Sequence, residues 1–61
     1  MTTNLGKHKP RVVLADDQAA TGAILERLLR TEFDVVATVG DGRALVEAVA
    51  RVSPDAIVTD I

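Results

Sequence analysis

Hydrophobic positions in this chain fall into runs that alternate between two periods. The continuous apolar stretch Val12-Val13-Leu14-Ala15, entered through Arg11, is of strand length and β-branched. It predicts a strand over 11–15 covered on both faces, as in a parallel sheet. Downstream, Ile24, Leu25, Leu28 and Leu29 recur at spacings of three and four, with Ala20 and Thr21 one turn earlier and Glu26, Arg27 and Arg30 elsewhere. That period predicts an amphipathic helix over 18–30. Asp17 stands where an N-cap would accept a backbone N–H, Arg27 and Arg30 suit the far end of the helix dipole, and Gly22 lowers the propensity without ending the pattern. A second β-branched run predicts a strand over 35–39, closed by Gly40-Asp41-Gly42. Asp41 is the expected cap of a helix over 43–52, with Leu45, Ala48, Val49 and Val52 on one stripe. Ser53-Pro54-Asp55 stops that helix, and a third strand follows over 56–59 with Asp60 at its tip. The order βαβαβ implies an α/β fold whose parallel strands are joined by right-handed crossovers.

Composition narrows the picture. Residues 1–10 hold Thr, Asn, Gly, two Lys and a Pro without periodicity, which predicts a flexible tail ahead of one small domain over 11–61. A domain this short buries only about 60% of its unfolded surface, so its stability is marginal. The absence of cysteine excludes disulfide staples. The 48% hydrophobic content is rich in Val, Ala and Leu with a single Phe, suited to packed α/β layers rather than disorder. A net charge of −2 without a basic stripe argues against nucleic acid as a partner. No apolar run approaches the ~20 residues that span a bilayer and no signal-peptide core opens the chain, so a cytoplasmic location without membrane contact is expected.

The candidate chemistry lies where the strands stop being hydrophobic. Asp16 and Asp17 follow the first apolar run and Asp60 follows the third. Parallel neighbours would gather all three carboxylates at one place, and acids so crowded call for a cation. Simpler roles compete at each position. Asp17 could be only a helix cap, Asp60 only a polar strand end, and Asp41 reads as a cap and nothing more. His8 lies in the polar tail, and alternation turns Thr59 to the face opposite Asp60.

The segments "VVLADDQ", "VGDGRALVEA" and "SPDAIVTDI" together resemble the amino-terminal half of a bacterial two-component response-regulator receiver domain, with the flavour of receivers joined to helix-turn-helix transcription factors. The resemblance covers Arg11 to Ile61. It implies a truncated flavodoxin-like fold, a parallel three-stranded sheet of order 2-1-3 with two helices, whose ligands bind outside the carboxyl ends of strands 1 and 3. It further implies that Asp60 is the phosphoacceptor, that a histidine kinase is the phosphodonor, and that Mg²⁺ is held by Asp16, Asp17 and Asp60. Asp17 would be a direct ligand, and Asp16 would act through water or shape the site. Such receivers also use a Ser or Thr and a Lys from two later strands. Here Lys7 and Lys9 precede the first strand, so phosphotransfer in this chain is expected to be impaired and the chain is not expected to be an enzyme.

An alternative from another class is a non-catalytic α/β fragment that self-associates through an exposed third-strand edge and uncovered helix faces; a homo-oligomer is expected on the same ground. A nucleotide-binding fragment would need Gly-x-Gly-x-x-Gly after the first strand, where the chain has Ala-Asp-Asp-Gln-Ala-Ala. A haloacid-dehalogenase-like phosphatase would want its two first-strand aspartates one residue apart, whereas Asp16 and Asp17 are adjacent.

Overall fold

A computed structural model describes the backbone of residues 9–60 and the side chains of 9–59. The expected tail over 1–10 lies outside the described residues as far as residue 8. Lys9 and Pro10 already engage the body: Lys9 Nζ donates to the Arg30 carbonyl (3.0 Å) and the Pro10 carbonyl accepts from Asp34 N–H (2.8 Å).

The elements are β1 (Arg11–Asp16), α1 (Ala19–Leu29), β2 (Asp34–Val39), α2 (Gly42–Val52) and β3 (Ala56–Asp60). The three strands form one parallel sheet of order β2-β1-β3. Each strand runs one polar residue beyond its expected bounds, because the backbone ladder continues where the apolar side chains stop. Arg11 pairs with Asp34, Asp16 pairs with Asp60, and a shift between Val12 and Val13 leaves Val36 as the extra residue of β2.

The central strand carries the core. Val12, Val13, Leu14 and Ala15 are all buried, so both faces of β1 are covered, as its unbroken apolar run requires. Val12 and Leu14 cluster with Val35, and Leu25, Leu29, Phe33 and Val58 pack against them, which places α1 on that face. A crossover from β1 to β2 and the next from β2 across to β3 run in opposite directions, so the same right-handed rule puts α2 on the other face. Its expected stripe points inward there: Ala48 is buried and Leu45, Val49 and Val52 are half-buried.

The corresponding stripe of α1 is narrower than expected. Leu25 and Leu29 reach the core, while Ile24 and Leu28 are 62% and 63% exposed. The reason lies in the footprint of the helices. Both pack on β1 and β2, and among the described residues neither packs on β3. Consequently the α1 flank facing away from β2 has no neighbour, and Ile57, register partner of buried Val13, is left 47% exposed.

Local chemistry sets the element ends. Asp41 caps α2 as expected, its Oδ1 accepting from Ala44 N–H at 2.8 Å. Helix α2 closes through Ser53 in the left-handed region (φ 48°), whose N–H bonds the Val49 carbonyl. At the amino-terminal end of the sheet, Asp55 Oδ2 accepts from Arg11 N–H (2.7 Å), Asp55 N–H donates to the Arg11 carbonyl (2.7 Å), and the Arg11 guanidinium donates to the Ser53 carbonyl (3.0 Å). These bonds tie the start of β3 to the start of β1 and thereby hold the register that aligns their far ends.

Candidate carboxylate site

At the carboxyl end of the sheet, Asp16 is the last residue of β1 and is 5% exposed. Its Oδ1 accepts the Gln18 N–H at 2.9 Å, a side-chain turn two residues long that leads the strand into α1. Its Oδ2 is buried and has no hydrogen-bond partner among the described residues. A buried carboxylate oxygen without a partner is costly, so it points to a ligand that satisfies it.

Asp17 was expected to cap α1, and the structure corrects this. The N-cap is Gln18, extended at φ −114° and ψ 107°, with no side-chain cap bond; the first helical bond runs from Gly22 N–H to the Gln18 carbonyl (2.8 Å). The carboxylate that serves the turn is that of Asp16. Asp17 is exposed and makes no hydrogen bond among the described residues, which frees it for a ligand. The two aspartates thus exchange the roles read from their positions: the inward one organises the backbone, and the outward one is uncommitted.

Asp60 is the register partner of Asp16, one strand over, which in a parallel sheet means roughly 4.8 Å between the strands. Its side chain lies outside the described ones. The backbone therefore brings Asp16 and Asp60 together, with Asp17 one residue beyond. Among the described residues no three His, Cys, Asp or Glu side chains form a metal-sized cluster, and of the expected trio only Asp16 and Asp17 have described side chains.

A groove of about 360 Å³ opens beside these acids between α1 and the end of β2, with Asp16, Asp17, Gly22, Glu26, Thr38 and Gly40 in its lining. Glu26 is engaged on both oxygens: Thr38 Oγ1 donates to Oε1 (2.6 Å), and Arg30 Nε and Nη2 donate to Oε2 (3.0 and 2.8 Å). The Thr38 hydroxyl first, and the Arg30 guanidinium after it, hold the Glu26 carboxyl below its ordinary value. No Lys or Arg lines the groove, so its oxygen-rich mouth suits a cation and not a bare anion. The donor set fits Mg²⁺ on chemistry: all-oxygen, carboxylate-based, with one buried oxygen lacking a partner.

The Glu26–Thr38 clasp was not foreseen. Its Glu26–Arg30 half is an i,i+4 pair visible in the sequence, whereas the Thr38 half depends on the one-residue shift in β2 register.

Among curated proteins, 53 residues of the chain are 49% identical to a protein-glutamate methylesterase/protein-glutamine glutaminase of Azospirillum brasilense and 40% identical to protein-glutamate methylesterase/protein-glutamine glutaminase 4 of Geobacter metallireducens. Each match covers 84% of this chain but only 14% and 15% of the respective relative. These short matches support a receiver-like domain. They lend nothing to the helix-turn-helix-joined type, since neither relative is named as a transcription factor. No family model matches the chain, and no solved structure matches it. No helix among the described residues is long and apolar enough to cross a membrane.

Proposed function

We propose that the chain is the first βαβαβ part of a two-component receiver, in which Asp60 takes a phosphoryl group from a histidine kinase and Asp16, Asp17 and Asp60 hold Mg²⁺. The observation that carries this reading is the buried, unpartnered Oδ2 of Asp16 at the end of the central strand, in register with Asp60. Bound Mg²⁺ supplies positive charge that lets an anionic phosphoryl group approach an anionic carboxylate. An Asp60 oxygen bonds to phosphorus as the P–N bond to the kinase histidine breaks, the imidazole leaving with the electron pair. Asp16 keeps the β1–α1 turn in place, and Asp17 presents its free carboxylate to the same space. The chain accepts the group and catalyses nothing on a separate substrate. As the output of a longer protein, the relatives favour a methylesterase/glutaminase over a DNA-binding unit.

The test uses acetyl phosphate and Mg²⁺ with the 61-residue chain, read by peptide mass spectrometry. Slow, low-yield, hydroxylamine-labile phosphate at Asp60 is expected, absent in Asp60→Asn and without Mg²⁺. Yield is low because no lysine follows Lys9 to stabilise the transferring group. Absence of label at saturating donor, or label that survives Asp60→Asn, overturns the assignment.

A second reading, self-association, is favoured by one observation: β3 hydrogen-bonds only to β1 and presents Ile57 uncovered. Its test is given in the Discussion, at the scale of the whole molecule.

A further inference from the structure

Gly22 lies in the interior of α1 with an ordinary helical backbone, so no left-handed conformation requires glycine there. Steric conflict does not require it either. A Cβ built at this position would stand 3.5 Å from Asp16 Cβ and 3.9 Å from both its Cγ and Oδ2, which is normal van der Waals contact. Alanine would fit and would strengthen the helix. What an added methyl would change is the space beside Asp16. It would sit against the one buried carboxylate oxygen that has no hydrogen-bond partner, on the groove side that Gly22 and Asp16 line together.

We propose that Gly22 is a positioning residue of the carboxylate site: by lacking a side chain it reserves room beside Asp16 Oδ2 for a water of a hydrated divalent cation. This rests on the receiver reading above and adds to it a residue outside the three acids. Such a water approaches the oxygen to about 2.8 Å, whereas a methyl group 3.9 Å away offers no donor and fills the approach from α1. The glycine thus gives up helix stability for access, a trade expected where a site and a helix share one contact.

Three proteins decide it: the 61-residue chain, Gly22→Ala and Asp17→Ala. Each is titrated with Mg²⁺ alone, followed by the amide NMR shifts of Asp17 and Gln18, and each is melted in EDTA. For Gly22→Ala, the thermal midpoint should rise by about 4 °C. Its Mg²⁺ dissociation constant should rise by about tenfold, as for loss of a second-layer group. Asp17→Ala should lose Mg²⁺-dependent shifts. If Gly22→Ala binds as tightly as the parent while Asp17→Ala does not bind, the role of Gly22 is wrong and the site stands. A lowered midpoint for Gly22→Ala would mean that glycine serves packing, which also overturns the proposal. Failure of the parent chain to respond to Mg²⁺ removes the site reading and this inference together.

Discussion

Glu26 holds two elements together through opposite ends of one carboxylate, and that arrangement makes a pH-dependent contribution to stability. Its folded-state pKa is lowered from 4.5 by the Thr38 hydroxyl and then Arg30. A depressed carboxyl pKa stabilises the fold at pH values above the unfolded pKa, and the contribution fades as pH falls through the folded value. Thr38→Val removes the larger cause while keeping a β-branched strand residue. The variant should therefore be less stable than the parent at pH 7, with the gap closing below about pH 4; urea midpoints at several pH values measure it. A gap constant across pH would show that Thr38 acts through packing instead. The positions of the three site aspartates were legible, because each marks the end of an apolar run. Which of Asp16 and Asp17 turns inward was not legible. Residues 12–15 are buried on both faces, so alternation along β1 leaves no trace in the sequence to extend to the next two positions.

At the level of the elements, the two helices show why some starts are readable and others are not. Asp41 caps α2 through a bond to Ala44 N–H, the ordinary reach of an N-cap carboxylate to the third helical residue. Asp41→Ala should cost about 1 kcal/mol of stability, read from the shift in chemical denaturation midpoint at unchanged slope. A loss below ~0.3 kcal/mol would mean that solvent satisfies the first turn as well as the carboxylate does. Helix α1 has no such cap on Gln18, because the preceding residue's neighbour, Asp16, reaches forward from the strand to bond Gln18 N–H. A cap read from adjacency alone therefore fell on Asp17, one residue late. The order βαβαβ and the turn residues were legible from period and punctuation, since Gly, Pro and Asp fall between the runs. The width of the buried stripe on α1 was not, because it depends on which strands the helix covers. Periodicity marks Ile24 and Leu28 as apolar without saying that β3 lies beyond the reach of the helix.

For the molecule as a whole, the strand order sets what is left uncovered. With β1 in the middle, β2 and β3 are both edges, yet only β2 is flanked by helices. Strand β3 offers an unpaired row of backbone N–H and C=O groups beside Ile57, and α1 adds the apolar pair Ile24 and Leu28. An edge of this kind is a template for a further strand, and charged residues, lysine above all, are the usual protection against it. Among the described side chains of β3, Ala56 to Thr59, none is charged. A second copy meets the requirement most economically: two β3 strands paired antiparallel about a two-fold axis would make one continuous six-stranded sheet and close both bare edges at once. Sedimentation of the 61-residue chain should accordingly show a concentration-dependent dimer at tens of micromolar. Ile57→Lys puts a charge on the edge at a position that is already 47% exposed, so the fold has little to lose from it. That variant should sediment as a monomer with an unchanged far-ultraviolet circular dichroism spectrum. A parent chain that stays monomeric and folded at ~100 µM would show that the edge tolerates water, because a two-fold contact of this size should be populated at that concentration. Dimerisation that persists in Ile57→Lys would move the contact from β3 to the exposed Ile24 and Leu28 flank of α1.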